Sequence, residues 1–521
     1  MSGLIDFFES TGRKDRGISY EAGGSWHHIT YDAMVCKASR LAARWLNHTG
    51  GRRCICLIRM ETGPDYLQAL MAVVQMGSIP VPLHANCREE EIRQTADWLE
   101  AEIIIADAAK LKQWPAGWMP ARLIGLDGRT GDRIDCSTMD SVGSDDSAAG
   151  PAPEWTERVY EPPPETAVIM MSSGSTGRPK AIMLSADNLL TNAAAIAEYT
   201  ALTDRDRVLI CKSLGYLSTI TGEWLLALQT GADICLNGPL FHPLQLVTRI
   251  RNAGATFVCV VPSMIIPLLK SGKWDIAELA ALRRMIIIGG AVSPDILLEL
   301  QAKLPHVELI PSYGLTEAAP RVTYLPAAML KRIPGSAGRP IRNVRVEIRQ
   351  DGELLPAGEI GEITVSGPNV MLGYYRDRER TDRVLQPYGL KTADMGYLDE
   401  DGFLFITGRA DRAVNIAGQT VYPEAVEHIL LAHPEIEEAA VCAVSDPVWG
   451  SRLIAFAVPC SLQTPTKPLE DYCQAKLPPA LRPKRIIYKT SLPKTASGKP
   501  DRTQLAEDAA KEEQDAASTS G

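Results

Sequence analysis

Several residue patterns that would fix a function at once are missing from this chain of 521 residues. Its 8 histidines include no HExxH pair. Among its 11 cysteines the only close pair is Cys54 and Cys56, which are separated by one residue rather than by the two that are usual in zinc and redox motifs. We therefore interpret the cysteines as buried, small apolar side chains in a reducing compartment. Metal chemistry based on His and Cys ligands is disfavoured.

Long hydrophobic runs and an excess of positive charge are also missing. The 54 Lys and Arg residues are outnumbered by 63 Asp and Glu residues, so the chain lacks the basic surface that neutralises a nucleic-acid backbone. The longest apolar run, residues 256–269, is too short to span a bilayer and contains Pro262 and Pro267. The N-terminus lacks the progression of a secretion signal. We expect a cytoplasmic protein with no nucleic-acid partner and no stable insertion into a membrane.

The chain is long enough for at least two domains, because single hydrophobic cores stop growing near about 250 to 300 residues. Helix-like stretches such as 31–46 alternate with short apolar runs such as 54–58 and 102–107. After a loop rich in Pro, Ser and Gly at 138–165, the alternation resumes, and strands are expected at 166–171, 206–214, 255–263 and 283–292. This pattern predicts layered α/β subdomains with a ligand crevice at the carboxyl ends of the strands.

Beyond about residue 335 the pattern changes to short alternating strands with turn glycines, which predicts a small β-rich subdomain. A helix at 423–434, followed by strands, then predicts a compact α+β domain. The predicted fold is therefore α/β. A large N-terminal domain (1–409) of two layered α/β subdomains plus a small distorted β-barrel is followed by a small mobile α+β C-terminal domain (410–521). The polar stretch 506–521 is expected to be frayed.

The segment SSGSTGRPK, residues 172–180, is rich in hydroxyls and glycines and follows an apolar strand. It does not fit the Walker frame, because Lys180 is followed by Ala181 and then by a second strand, with Ser185 as the cap of the next helix. A nucleophile elbow of the GxSxG type is absent, and the likeness to the serine segment of amidases is superficial. The residue types favour phosphate binding but leave a hydrolase loop or a flexible turn open.

Five further segments follow this loop in order. They are SYGLTEAA (312–319), GEIGEITVSGPNVMLGYY (358–375), KTADMGYLDEDGFLFITGR (391–409), GRADRAVNIAGQTVYPEAVE (408–427) and LPKTASGKPDRTQL (492–505). Together with SSGSTGRPKAIMLSADNL (172–189), they resemble the motifs of the adenylate-forming superfamily, which includes acyl- and aryl-CoA ligases, peptide-synthetase adenylation domains and firefly luciferase. The resemblance extends over residues 25 to 505.

The resemblance implies a reaction in two steps. A carboxylate attacks the α-phosphate of ATP, giving an acyl-adenylate and pyrophosphate, and a thiol then displaces AMP to form a thioester. Both ATP and the acid are anions, so the reaction needs charge neutralisation and positioning more than covalent help. The implied co-substrates and cofactor are ATP, Mg²⁺ and the thiol of CoA or of phosphopantetheine on a separate carrier protein.

The resemblance also assigns site residues. The β- and γ-phosphates would be held by Ser172, Ser173, Gly174, Ser175, Thr176, Gly177 and Lys180. The base and the acyl group would be lined by Gly289, Gly290, Ala291, Ser312, Tyr313, Gly314, Leu315 and Thr316, with Tyr313 on the adenine. Thr176 and Glu317 would bind Mg²⁺, a cation that prefers oxygen ligands.

Four further residues complete the implied site. Asp394 and Arg409 would bind the ribose, and Lys499 would bridge the carboxylate and the α-phosphate, so that Lys499, Thr176 and Glu317 are the implied catalytic residues. Asp411 would be the hinge about which the C-terminal domain rotates between the two steps.

The sequence departs from the superfamily pattern at several positions. Ala393 stands where a glycine is usual in the segment around Asp394. Ala417 replaces a glycine that usually permits close approach of a pantetheine arm, so the thiol acceptor stays open between CoA and a carrier protein.

The acid substrate is indicated by the segment 212–228, which corresponds to the element that packs on the acyl group. Tyr216 is its nearest aromatic residue and it contains no Asp, which favours an aromatic or small acyl acid over an α-amino acid. Glu223 is expected on a helix face. Ser218, Thr219 and Thr221 could recognise a substituent of the acid, or could cap their own helix. The alternatives are a stand-alone amino-acid-activating enzyme that loads a carrier protein and, more remotely, an amidase-type hydrolase or a non-catalytic nucleotide-binding protein.

Overall fold

The computed structural model describes residues 2–11, 15–111, 114, 122–126, 160–172, 180–240, 242, 244–272, 274–290, 292–416, 419–446, 450–460, 469–494 and 500–519. The α-helices before residue 410 are α1 (Ser2–Ser10), α2 (Tyr31–Thr49), α3 (Pro64–Gln75), α4 (Glu89–Leu99), α5 (Ala108–Leu111), α6 (Ala186–Thr200), α7 (Leu217–Thr219), α8 (Leu226–Thr230), α9 (Leu244–Ala253), α10 (Pro262–Ser271), α11 (Pro294–Lys303) and α12 (Arg378–Val384). A π-helical turn, Ile220–Leu225, joins α7 to α8.

The strands of the same part are β1 (Gly17–Ala22), β2 (Ser25–Thr30), β3 (Ile55–Arg59), β4 (Ile79–Pro82), β5 (Ile103–Asp107), β6 (Arg122–Leu126), β7 (Thr166–Ser172), β8 (Lys180–Ser185), β9 (Arg207–Ile210), β10 (Asp233–Leu236), β11 (Phe257–Val260), β12 (Arg284–Ile287), β13 (Glu308–Gly314), β14 (Arg321–Tyr324), β15 (Arg339–Pro340), β16 (Arg345–Gln350), β17 (Glu353–Leu354), β18 (Gly361–Ser366), β19 (Gly373–Tyr374), β20 (Leu385–Gln386), β21 (Gly389–Leu398) and β22 (Leu404–Arg409). Short 3₁₀ helices lie at Ile276–Leu279, Thr316–Ala318, Ala327–Met329, Ala410–Arg412 and Pro479–Leu481.

Two sheets with parallel cores form the predicted α/β layers. The larger has the order β15-β14-β13-β12-β11-β9-β10-β1-β2, in which the strands from β13 to β1 are parallel and the outer ones antiparallel. The smaller, β4-β3-β5-β6, is entirely parallel. The central parallel strands β9–β12 of the larger sheet and β3–β5 of the smaller one are almost continuously apolar and buried, as expected for strands that are covered on both faces.

The carboxyl ends of the parallel strands β9, β11, β12 and β13 meet at one edge of the larger sheet. The chain that leaves these ends supplies most of the residues that the sequence predicts for ligand binding. This agrees with the general placement of ligands in open α/β sheets.

Two antiparallel sheets adjoin these layers. The strands β19-β8-β7 flank the predicted phosphate loop. The predicted β-rich subdomain is a six-stranded sheet in the order β17-β16-β18-β21-β20, with β22 paired to β21.

The C-terminal part contains β23 (Val414–Ile416), β24 (Gln419–Val421), α13 (Pro423–Leu431), β25 (Ile436–Asp446), β26 (Gly450–Pro459), α14 (Leu469–Lys476), β27 (Arg485–Tyr488) and α15 (Arg502–Thr519). The expectation of a frayed C-terminus is wrong, because α15 extends through Thr519. Ala, Glu, Lys and Gln, which dominate this stretch, have high helix propensity, and Leu505 and Ala509 are fully buried against Ile454 and Phe456. Packing of Leu505 and Ala509 stabilises this helix, which the polar composition of the segment did not predict.

Within the residues that the structure describes, no helix combines the length and the apolar composition needed to cross a membrane.

Candidate active site

The predicted phosphate loop is anchored at both ends by an antiparallel strand pair. Ser172 at the end of β7 lies directly opposite Lys180 at the start of β8, which confirms the two strands predicted on either side of the loop. The Ser185 hydroxyl accepts a hydrogen bond from the backbone N–H of Asn188 at 3.1 Å, so the predicted cap of α6 is also confirmed. The predicted site residues that lie outside the described residues are Ser173, Gly174, Ser175, Thr176, Gly177, Ala291 and Lys499.

Three side chains from distant parts of the chain meet beside this loop. The Lys180 ammonium lies 3.5 Å from Glu317 Oε1, and the Tyr374 hydroxyl donates to the same oxygen at 3.0 Å. The ammonium also lies 5.4 Å from the centroid of the Tyr374 ring. Burial, reinforced by the Glu317 carboxylate, raises the pKa of Tyr374 well above its usual range, so this hydroxyl stays a donor. Tyr374 thus orients the carboxylate that the sequence assigns to Mg²⁺, a role that sequence analysis missed.

The chemistry of this group fits a magnesium ion. A carboxylate is a preferred ligand of Mg²⁺, which commonly takes one or two protein carboxylates and completes its shell with phosphate oxygens and water. Within the described ranges, no group of three or more His, Cys, Asp or Glu side chains is arranged to hold a metal ion by itself. Glu317 would therefore act with phosphate oxygens and water as the other ligands.

Replacing Tyr374 with phenylalanine is expected to raise the KM for ATP with magnesium by roughly 3- to 10-fold, the usual worth of one lost hydrogen bond. Tyr375→Phe is the matched control, because the hydroxyl of this neighbouring tyrosine donates to Leu99 O, away from the site. Steady-state kinetics with varied ATP measures both. An equal KM in the two variants would contradict the role given to Tyr374.

A second group of side chains surrounds Asp394 in β21. Its carboxylate accepts a hydrogen bond from the Tyr313 hydroxyl at 2.5 Å and another from Arg409 Nη1 at 3.2 Å. Arg409 also bonds Asp411 through Nε at 3.0 Å. Burial raises the pKa of Asp394, while Tyr313 and Arg409 act in the opposite direction and favour its ionised form. The structure thus brings together Tyr313, Asp394, Arg409 and Asp411, which the sequence predicts to act at the ribose, the base and the hinge.

The segment that carries Tyr313 and Glu317 is held in place by two asparagines. Asn192 of α6 and Asn369 each donate to both Ala318 O and Arg321 O, at 2.8 to 3.4 Å. Gly314 is required at its position, because a Cβ there would lie 1.8 Å from Pro320 O. Of the other predicted residues of this segment, Ser312 donates its hydroxyl to Thr323 O at 2.7 Å, and Leu315 and Thr316 are half-buried.

Ala393, which stands where the superfamily usually has glycine, adopts a left-handed backbone with φ of 62°. This conformation costs an alanine about 1 kcal/mol that glycine avoids. The alanine therefore strains the residue next to Asp394.

Ala393→Gly is expected to stabilise the protein by about 0.5 to 1 kcal/mol, measured as a shift of the urea midpoint. Ala201→Gly at the end of α6 is the matched control, because Ala201 has φ of 47° and lies outside the site. Only the change at Ala393 is expected to alter the KM for ATP as well. A lower midpoint for Ala393→Gly would contradict the strain.

The residues predicted for the acid lie at the strand edge near Tyr216. The Tyr216 ring lies 4.1 Å from the ring of His84, centroid to centroid, and His84 Nδ1 lies 3.0 Å from Ser213 Oγ. Burial lowers the pKa of His84 to about 4, so the imidazole is neutral at neutral pH. Sequence analysis missed His84; the one signal available was its position just after β4, at the carboxyl end of a parallel strand.

Two glycines follow β12 at the same edge. Gly289 has φ of 79°, and a Cβ on Gly290 would lie 3.3 Å from Pro262 Cγ, so this turn approaches the start of α10 closely. Ser218, the other predicted acid-binding residue, is half-buried in α7.

Glu223 lies in a helical turn, but not on a solvated face. It is fully buried in the π-helical turn, where its Oε2 accepts from Lys212 Nζ at 2.6 Å. Thr219 and Thr221 are also fully buried, and neither hydroxyl has a hydrogen-bond partner in the described part of the chain. The alternative that they cap their own helix is therefore not observed.

Comparison with known proteins identifies the family. Residues 8–375 match the family described as AMP-binding enzyme, and residues 425–499 match the AMP-binding enzyme C-terminal domain. A feruloyl-CoA synthase from Amycolatopsis sp is 30% identical over 440 residues, which are 84% of this chain and 85% of that protein. A 2-succinylbenzoate–CoA ligase from Bacillus cereus is 27% identical over 461 residues, with 88% and 90% covered.

Solved structures show the same fold. The O-succinylbenzoate coenzyme A synthetase from Bacillus subtilis, in complex with ATP and magnesium ion, has a TM-score of 0.80 and 24% identity over 96% of this chain and 98% of its own. The predicted superfamily, the α/β fold with a large N-terminal and a small C-terminal domain, and the class of acid–thiol ligase are confirmed. The chain belongs to the AMP-binding enzyme family.

Proposed function

We propose that the protein activates an aromatic carboxylic acid with ATP and transfers the acyl group to CoA. The observation that carries this proposal is the meeting of Lys180 with Glu317, and of Tyr313 with Asp394 and Arg409, beside one sheet edge. These groups complement a polyphosphate, its metal and a ribose. The acceptor is taken to be CoA because both curated relatives are named for that product.

In the first step, an oxygen of the carboxylate forms a bond to the α-phosphorus of ATP, and the bond from that phosphorus to the bridging oxygen breaks. Pyrophosphate leaves with the bonding electrons. Lys180 and Ser172, with the loop residues 173–177, would hold the β- and γ-phosphates, and Lys499 would neutralise the charge between the carboxylate and the α-phosphate. Glu317 and Thr176 would hold Mg²⁺, whose chemistry when bound is to neutralise charge on the phosphate oxygens.

In the nucleotide part of the site, Asp394 and Arg409 would bind the ribose hydroxyls, and the Tyr313 ring would lie on the adenine. The existing hydrogen bonds of Asp394 with Tyr313 and Arg409 support this role, because they hold the carboxylate in place before the ribose arrives. In the second step, the thiolate of CoA attacks the acyl carbon and AMP leaves.

The proposal includes two domains, 1–409 and 410–521, that rotate about Asp411. Asp411 lies in a 3₁₀ helix directly after β22, and its bonds to Arg409 link it to the ribose site. Lys270 of α10 donates to His433 O at 3.0 Å, so rotation would break this contact between the two domains. A cytoplasmic location is also part of the proposal, because ATP and CoA are available there.

The acid is proposed to be aromatic because Tyr216 and His84 form an aromatic pair at the strand edge. Gly215 supports this reading, since a Cβ there would come within 2.8 Å of His84, and the glycine lets the ring approach. A stand-alone enzyme that activates an amino acid for a carrier protein is the second candidate, and the same assay separates the two.

Exchange of labelled pyrophosphate into ATP, run with aromatic, fatty and α-amino acids, tests the proposal. We expect exchange that depends on an added aromatic acid, and thioester formation when CoA is supplied. Exchange with amino acids alone would favour the second candidate. Absence of exchange with every acid, or hydrolysis of an amide without ATP, would overturn the ligase function.

A further inference from the structure

A buried cluster of charges lies under the proposed acid site. Lys212 follows β9 and donates to Cys259 O of β11 at 3.0 Å as well as to Glu223. Arg321, the first residue of β14, lies directly opposite Gly314 in the antiparallel pair and is 3% exposed. Its Nη2 lies 3.3 Å from Cys259 Sγ. The charges therefore sit between the strand ends and the π-helical turn that follows Tyr216.

One carboxylate faces two cations in this cluster. Burial raises the pKa of Glu223, and the charges of Lys212 and Arg321 oppose that rise. Glu223 is already bonded to Lys212 at 2.6 Å, whereas no ion pair joins Arg321 to a carboxylate in the described ranges. The cluster therefore carries an excess of one positive charge.

A guanidinium is a permanent positive charge in proteins. Burying a charge without a paired anion is unfavourable, so buried charges are normally matched by a partner. The charge of Arg321 thus calls for an anion.

The position of Arg321 is fixed by hydrogen bonds of its backbone and by the space that a glycine leaves for its side chain. Its backbone N–H donates to Asn192 Oδ1 at 3.2 Å, and its carbonyl accepts from Asn192 and Asn369. Gly222 makes room for it, because a Cβ there would lie 2.8 Å from Arg321 Nη2. The chain therefore positions a charged side chain that makes no ion pair with any described carboxylate.

Unpaired polar atoms occur on Arg321 and on the residues that flank Gly222. Atoms that are buried and have no hydrogen-bond partner among the described residues are Tyr199 Oη, Thr219 Oγ1, Thr221 Oγ1, Glu223 Oε1 and Arg321 Nε. Glu223 Oε1 is the one of these atoms that only accepts hydrogen bonds, and buried polar atoms are nearly always paired. Thr219 is tied to the acid site, because its N–H donates to Tyr216 O at 3.0 Å.

We propose that the acid substrate carries a second carboxylate, remote from the one that is activated, and that Arg321 with Thr219 and Thr221 receives it. The inference rests on the proposed ligase function and specifies its substrate class as a dicarboxylic acid. Arg321 is then a residue that determines specificity. The threonine hydroxyls donate to the same carboxylate, and the excess charge of the cluster is neutralised.

Such a site is expected to give a large preference for a diacid over the monoacid that lacks the second carboxylate. A site built to bind a polar group by hydrogen bonds strongly rejects the analogue that lacks this group, because the polar atoms of the site are then left unpaired. We therefore expect a diacid to be used about 100-fold better than its matched monoacid.

Pyrophosphate exchange with matched acids tests this inference. Phenylacetate is compared with the three positional isomers of carboxyphenylacetate, and heptanoate is compared with heptanedioate. The wild-type protein is expected to favour at least one diacid by about 100-fold in kcat/KM. Arg321→Met is expected to raise the KM for that diacid about 100-fold and to change kcat/KM for the matched monoacid far less, so that the preference for the diacid is lost.

Three further variants keep the result interpretable. Arg342→Met is the matched control, because Arg342 is exposed and pairs with Glu198 on the surface. Arg321→Lys retains the charge and is expected to give an intermediate preference. Thr221→Val keeps the shape of the side chain, and its kcat/KM is expected to fall several-fold with the diacid only. This variant tests the inference even if the Arg321 variants do not fold.

Equal use of monoacids and diacids by the wild-type protein would overturn the inference, and so would a parallel loss of both in Arg321→Met or Thr221→Val. Exchange with none of the acids contradicts the ligase function instead, so the two failures are distinguishable.

Discussion

Replacing Lys499 with alanine is expected to slow acyl-adenylate formation by about 10²- to 10³-fold while leaving thioester formation from a supplied acyl-adenylate near the wild-type rate. The reason is electrostatic. Two anions must approach each other in the first step, and loss of one donor that stabilises developing charge usually costs a factor of this size. In the second step a neutral acyl carbon is attacked, and the proposed domain rotation has moved Lys499 away.

Pyrophosphate exchange measures the first step, and release of AMP from synthetic acyl-adenylate with CoA measures the second. Lys494→Ala is the matched control, because Lys494 lies in the same LPKTASGK motif and its ammonium pairs with Glu438 at 2.7 Å. This variant is expected to retain both activities. Equal loss of the two steps in Lys499→Ala would contradict the proposed role.

Replacing Glu223 with glutamine is expected to destabilise the protein by about 3 to 5 kcal/mol, which is the usual cost of breaking a buried ion pair on one side. The side chains of Lys212 and Glu223 are 4% and 0% exposed, so water cannot take over the role of the missing carboxylate. Glutamine keeps the shape of the side chain, so the decrease in the free energy of unfolding measures the effect of removing the negative charge. Urea unfolding followed by tryptophan fluorescence measures it.

The double variant Lys212→Met with Glu223→Leu is expected to recover much of this loss, because apolar side chains of similar volume replace a buried pair at little cost. Glu198→Gln serves as the surface control and is expected to change stability by less than about 1 kcal/mol, since its pair with Arg342 is solvated. A loss below 1 kcal/mol in Glu223→Gln would mean that Lys212 is compensated by another group.

The family and the layered α/β fold could be predicted because the relevant signals are local. The strand, loop and strand around residues 172–180 follow from the placement of apolar residues and glycines, and Ser185 is a cap that can be identified from its immediate neighbours. The motif around Asp394 marks Ala393 as a departure from a glycine position, and its left-handed backbone supplies the physical reason for that glycine.

The buried charges could not be predicted for the opposite reason. Lys212 follows β9, whereas Glu223 lies in the π-helical turn and Arg321 in β14, and only the folded sheet brings them together. A glutamate in an apolar helical segment gives no sign of whether it faces water or a distant lysine. His84 is similar, because its partner Tyr216 lies far along the chain.

The short segment between Gly314 and Arg321, fastened by Asn192 and Asn369, has a thermodynamic consequence. It carries Glu317 for the proposed metal near its middle and Arg321 for the proposed diacid at its end. The carbonyls of Ala318 and Arg321 are held by the same two asparagines, so we expect the two sites to be coupled, and coupling between binding sites is reciprocal. The factor by which such an acid changes the affinity for ATP therefore equals the factor by which ATP changes the affinity for the acid. The order in which the acid and ATP are added does not change this factor. Replacing Asn192 or Asn369 should weaken the coupling, although neither side chain is proposed to contact a ligand.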